Sequence, residues 1–207
     1  MHLFLYSVFA GVMISIGGTV YLSLENKVAA ALLFTIGLTF VCLYKMNLFT
    51  GKIGYLIGNR PRYILDLIVI WIGNLTGTAV VSSLLYFAKP GLAEAARTLC
   101  EKKLEQSPLQ TVILAAFCGL LIHLAVDHYK SNSSDLSKYI VLFLCVSVFI
   151  LSGFEHSIAD MFYFGAANVV CFLSGRAMLF IALVTVGNCL GAFVLPLVQL
   201  VKPKAKQ

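Results

Sequence analysis

Long apolar runs separated by short polar stretches dominate the chain. They fall at about residues 3–24, 28–51, 63–88, 108–129, 139–173 and 177–201. Each is long enough to cross a hydrocarbon core as an α-helix, which takes about twenty residues. Two of the six are irregular. In the second, the stretch 28–44 runs into Lys45-Met46-Asn47-Leu48-Phe49-Thr50-Gly51-Lys52. The fifth is long enough for two half-helices, with an interruption from Gly153 to Asp160. The pattern predicts an all-α membrane protein of six transmembrane helices, with helices 2 and 5 broken. Broken helices at membrane depth are tolerated only where the backbone is covered by protein or lines a cavity. The run from Leu3 to Leu24 is too long for the core of a signal peptide and lacks a basic start, so it reads as the first span.

The two halves echo each other. Gly73-Asn74-Leu75-Thr76-Gly77 in the third run recurs as Gly187-Asn188-Cys189-Leu190-Gly191 in the sixth. Phe34-Thr35-Ile36-Gly37 has a loose echo in Phe149-Ile150-Leu151-Ser152-Gly153, and Leu48-Phe49-Thr50-Gly51 faces Gly153-Phe154-Glu155-His156. Three spans followed by three spans put the second copy upside down. The expectation is one transmembrane domain, 1–207, built from inverted repeats of about 1–90 and 105–201, with a basic tail at 202–207. Interrupted segments at matching places in inverted halves point to a site near the membrane midplane.

Composition agrees. Of the 207 residues, 60% are hydrophobic and 12% charged, where a soluble domain is nearer half and a quarter. The net charge of +6 is what basic loops and a basic tail produce beside anionic lipid, so no nucleic-acid partner is implied. With the N-terminus inside, the cytoplasmic face holds Lys52, Arg60, Arg62, Lys130, Lys138, Lys202, Lys204 and Lys206. The outer face holds Lys27, Lys89, Arg97, Lys102, Lys103 and Arg176, partly offset by Glu25, Glu94, Glu101 and Glu105. The asymmetry places both termini in the cytoplasm. The six cysteines, Cys171 among them, lack ligand spacing, so neither a disulfide framework nor a metal site is indicated.

The candidate chemistry lies in Ser152-Gly153-Phe154-Glu155-His156-Ser157-Ile158-Ala159-Asp160. An intramembrane charge costs about 2.5–3.5 kcal/mol on insertion scales and usually faces a bundle interior or watery cavity. His156 reads either as a packing residue or, at a helix break, as a donor to a passing anion. Glu155 reads as a structural acceptor for N–H groups that the break frees at Gly153. Asp160 suits a subunit contact or the outer mouth. Thr50 either caps the half-helix after the loop or joins its N–H groups in holding an anion. Asn74 suits the satisfaction of broken backbone, and Asn188 a mixed role. Lys103, in Glu101-Lys102-Lys103-Leu104-Glu105, is by itself part of a solvated charge run. Asn74-Leu75-Thr76 is formally a glycosylation sequon, but it lies within a span.

These residues also carry a resemblance. From Ala10-Gly11 to Gly191 the chain resembles the formate/nitrite transporter family, pentamers of six-span, aquaporin-like protomers with one pore each. The fifth-run motif Ser152 to Ala159, the loop Leu48-Phe49-Thr50-Gly51 and both Gly-Asn-x-x-Gly repeats carry the likeness. It implies Phe34 and Phe149 at an outer constriction, and Leu38 and Leu48, with Phe49 nearby, at an inner one. It puts His156 between them facing Thr50, Asn188 along the pore, and Lys103 at the outer vestibule. Departures are Gly119 where many members have a pore-facing asparagine, Asn47 where an acid often precedes Leu-Phe-Thr, and Lys45, which has no counterpart. The sequence starts at the first span, so an amphipathic N-terminal element found in some members is not expected at the mouth.

The resemblance implies a channel or proton-coupled transporter in the cell (inner) membrane, with no cofactor. Its partners would be small monovalent weak-acid anions such as formate, nitrite, hydrosulfide or a short-chain carboxylate, together with protons and lipid, and it would be a homopentamer. Lys103 would draw in the anion. Protonation by cavity water or by His156 would then carry it past the apolar necks, which reject bare charge. Gly11, Gly17 and Gly18 would allow close helix packing. An aquaporin-like pore for neutral solutes is the alternative, although no Asn-Pro-Ala pairs occur. An enzyme is not expected, since His2, His123 and His128 are too scattered to complete a catalytic set.

Overall fold

The computed structural model describes residues 1–168 and 172–201; Cys171 and the basic tail 202–207 lie outside the described residues. The described chain is all-α: α1 His2–Ser23, α2 Lys27–Phe34, α3 Ile36–Leu43, α4 Phe49–Lys52, α5 Tyr63–Ala88, α6 Pro90–Leu104, α7 Pro108–Ser131, α8 Asp135–Leu151, α9 Ser157–Ala167 and α10 Gly175–Val201. A 3-10 turn, Ile53–Leu56, follows α4. Four helices are long and apolar enough to cross a membrane, namely α1, α5, α7 and α10. Their ends follow local chemistry. Asn26 caps α2 by accepting from Val28 and Ala29 N–H, Ser107 caps α7, Ser134 caps α8, and Pro90 and Pro108 open α6 and α7, where a missing N–H costs nothing.

α1 packs on α5 and α7 packs on α10 so closely that glycine backbones touch their neighbours. A Cβ on Gly11 would enter the Asn74 carbonyl, one on Gly77 the Val8 carbonyl, one on Gly119 the Asn188 carbonyl and one on Gly191 the Ala116 carbonyl. Gly119 thus serves helix contact. Gly17 and Gly18 likewise abut Phe34 and the Phe162 ring, so all three glycines of α1 are used within the protomer.

The two interruptions share one construction. α3 ends with Met46 N–H donating to Val41 O at 2.8 Å and Lys45 N–H to Cys42 O at 3.1 Å. α8 ends with Phe154 N–H donating to Phe149 O at 2.9 Å and Gly153 N–H to Ile150 O at 3.1 Å. Both turns need a left-handed residue, which is Lys45 (φ 54°) in one and Gly153 (φ 67°) in the other. Glycine adopts this geometry freely, whereas a side chain costs about 1–2 kcal/mol.

Each extended loop is then held by an asparagine of a long helix. Asn74 on α5 donates to Ser7 O and Asn47 O and accepts from Phe49 N–H, at 2.7–2.9 Å. Asn188 on α10 donates to Ala115 O and Glu155 O and accepts from Ser157 N–H, at 2.8–2.9 Å. These bonds equate Leu48 with His156 and Asn47 with Glu155, a register three residues away from the echo that matched Leu48 with Gly153. Asn188 thus engages backbone through both amide N–H groups and its Oδ1, which is the structural part of its expected mixed role.

Asn74→Ala or Asn188→Ala strands two buried backbone groups of its loop, one C=O and one N–H, at about 1–3 kcal/mol for each group left unsatisfied. Each variant should unfold in detergent at a clearly lower temperature than wild type. An unchanged melting temperature would contradict the bracket.

Candidate functional site

The two breaks meet at a buried pair. His156, 3% exposed, ends the second loop and caps α9, its Nδ1 accepting from Ala159 N–H at 3.1 Å. A backbone N–H can only donate, so Nδ1 carries the lone pair and the proton resides on Nε2. Nε2 lies 2.8 Å from Thr50 Oγ1. His156 therefore donates to Thr50, and the threonine hydroxyl proton is free for a further acceptor. Thr50 is fully buried and does not cap α4; Leu48 occupies the cap position, with no side-chain bond. At four residues α4 is a single turn, so its dipole is small.

Aromatic and aliphatic groups surround the pair. Phe34 and Phe149 meet edge-on with centroids 6.0 Å apart, and Phe149 stacks on the His156 ring at 5.7 Å. Leu38 and Leu48 are each 1% exposed, and Phe49 is buried beside Thr50. Two cavities approach this group from opposite ends of α7, which is about 36 Å long at 1.5 Å per residue. The first, about 210 Å³, is lined by Lys103, Gln106, Phe149, Glu155, His156 and Asp160, among others. The second, about 360 Å³, is lined by Lys45, Leu48, Gly51, Lys52, Val126 and Lys130, among others.

Lys103 is not a free cation. Its ammonium pairs with Glu155 Oε2 and lies 3.0 Å from Asp160 Oδ1, and the Tyr163 ring lies 5.7 Å away. Burial pulls its pKa down, but Asp160 and Glu155 outweigh that and hold it above the ordinary lysine range. Gln106 donates to Glu155 Oε1 at 2.7 Å. Glu155 thus accepts from side chains, and the N–H groups freed by the break go to Asn188 and His156 instead. Asp160, 1% exposed, faces α6 from the first turn of α9, and its Oδ2 has no hydrogen-bond partner among the described residues. Gln106 was missed in the sequence, its only mark being a place one residue beyond the charge run. Asn47 secures its loop to α1, its side-chain amide donating to Leu3 O at 3.2 Å and its N–H to Tyr6 O at 3.3 Å.

The fold and site define an all-helical membrane protein in which two interrupted segments meet at a buried histidine–threonine pair. The chain belongs to the formate/nitrite transporter family, which it matches over residues 1–201. It is 26% identical over 183 residues to formate channel FocB of Escherichia coli (strain K12), aligning 78% of this chain with 65% of that protein. It is 29% identical over 144 residues to nitrite transporter NirC of the same strain, aligning 63% of this chain with 53% of that protein. The chain thus spans between half and two thirds of the length of these relatives. A pentameric formate channel with formate bound shares its fold at TM-score 0.84 and 24% identity, covering 96% of this chain and 95% of that one. An FNT family ion channel does so at 0.87 and 22%, covering 98% and 90%.

Removing one partner of a buried ionic network leaves uncompensated charge and costs about 3–5 kcal/mol. Lys103→Met should therefore lower the melting temperature sharply. Adding Glu155→Gln and Asp160→Asn should restore most of it. A triple variant no better than the single one would contradict the pairing.

Proposed function

We propose that this chain passes small monovalent weak-acid anions across a membrane as neutral acids. The observation that carries this reading is the Thr50–His156 pair, whose proton is held on Nε2 by the Ala159 N–H between apolar side chains. A bare ion entering such a neck meets a Born cost on the order of tens of kcal/mol. An anion that has taken up a proton crosses without it. His156 has one proton to give, and losing it would leave an imidazolate, while its other nitrogen is engaged by backbone. Cavity water is therefore the proton source. The pair supplies hydrogen bonds, from Thr50 Oγ1–H and, when Thr50 rotates away, from His156 Nε2–H.

Phe34 and Phe149 form the neck beside the Lys103 cavity; Leu38 and Leu48, with Phe49, form the one beside the Lys52 cavity. The paired asparagine brackets support six spans arranged as two inverted repeats in one domain. The basic-residue asymmetry puts both termini in the cytoplasm, so the Lys103 cavity opens outward as the vestibule. A homopentamer, one pore per protomer, follows the pentameric formate channel whose fold the chain shares. Formate and nitrite, the substrates in the relatives' names, lead the substrate class.

Proteoliposomes carrying a pH dye test this reading. Formate, nitrite and acetate should enter with proton movement, while chloride and nitrate, whose conjugate acids are too strong to form, stay at background. His156→Ala and Thr50→Val should each slow formate entry about tenfold or more, the worth of one hydrogen bond to an anion. Urea or water flux without anion flux would identify a neutral-solute pore instead.

A further inference from the structure

The matched turns after α3 and α8 differ at their left-handed residue, Lys45 in one and Gly153 in the other. Lys45 holds that conformation against its own Cβ, where the equivalent turn uses glycine. Its side chain lines the 360 Å³ cavity with Lys52 and Lys130. None of the three lysines makes an ion pair or a side-chain hydrogen bond among the described residues; Lys130 lies 4.1 Å over the Tyr55 ring. Asp127 accepts from Tyr55 OH at 3.1 Å. The lysine of the opposite cavity, Lys103, faces two carboxylates, whereas at the Lys45 end Asp66 and Asp127 act on Lys52 and Lys130 only from beyond ion-pair distance. The wall beside it is apolar, with Val41, Leu48 and Val126 at 3%, 1% and 7% exposure. Its volume is that of a small-molecule site and exceeds what a three-atom anion fills.

We propose that this cavity binds organic monocarboxylates bearing a short apolar chain. The carboxylate meets Lys45, Lys52 and Lys130, and the chain lies against Val41, Leu48 and Val126. Because Leu48 borders both this cavity and the neck, an occupant stands across the path and blocks it; that consequence rests on the pore reading above, whereas binding does not.

Calorimetric titration of hexanoate into the protein in phosphatidylcholine nanodiscs, against empty discs, is the test. Saturable hexanoate binding is expected, with none for hexanol or formate over the same range. Lys45→Gly, which suits the turn, and Lys52→Gln should each weaken it about tenfold, as loss of a charge-assisted contact does. Absence of saturable binding, equal binding of hexanol, or affinity unchanged in both variants would overturn the site. Loss of binding in discs containing phosphatidylglycerol would overturn it too, by assigning the lysines to anionic lipid. Formate uptake by the same preparation separates the two readings. Hexanoate binding without formate passage removes the pore and leaves the site, while formate passage without hexanoate binding removes only the site.

Discussion

A backbone that leaves helical geometry inside a membrane must find partners for every N–H and C=O it exposes, because lipid offers none. Here that demand falls on two asparagine side chains. Asn74 and Asn188 each bind one carbonyl and one N–H of loop backbone that no helix satisfies, and tie them to a helical carbonyl, Ser7 O or Ala115 O. Asparagine suits the task because its amide is both donor and acceptor. The close approach of α1 to α5 and of α7 to α10, permitted by Gly11, Gly77, Gly119 and Gly191, brings each amide within reach of its loop. The positions of Leu48, Thr50 and His156 all follow from these brackets.

The charge arrangement builds on the same scaffold. The bracket leaves Ala159 N–H to be capped by His156, and that cap fixes which ring nitrogen is protonated. A neutral imidazole in an apolar setting favours a neutral passenger. At one end Lys103 is ion-paired with Glu155 and Asp160, while at the other Lys45, Lys52 and Lys130 make no direct ion pair among the described residues, so the pore proposed here is electrostatically asymmetric although its backbone brackets match.

Much of this was visible in the sequence. The four long helices and both interruptions stood out because hydropathy reports directly on span length, and the polar run from Lys45 and the glycine at 153 report on backbone breakage. Thr50 and His156, widely separated in the chain, were expected to face each other through the family resemblance, not through any local signal. The register between the halves was misread because Gly153-Phe154 looks like part of the loop, whereas its hydrogen bonds belong to the end of α8. Glu155 was assigned backbone partners since a break frees N–H groups, but a lysine and a glutamine from the α6 end reach it first. That pairing depends on how α6 folds over α9, and no periodicity within either segment encodes it. Gly119 likewise looked like a missing polar group, when its lack of a side chain is what α10 requires.

The central claim is that the permeating species is uncharged at the Thr50–His156 pair. Formate uptake into proteoliposomes, with the membrane potential clamped by valinomycin and potassium gradients, tests it most directly. The rate should be the same at positive and negative clamps, with one proton moving per formate. A rate that follows the imposed potential, with no accompanying proton, would show that the bare anion crosses and would contradict the account.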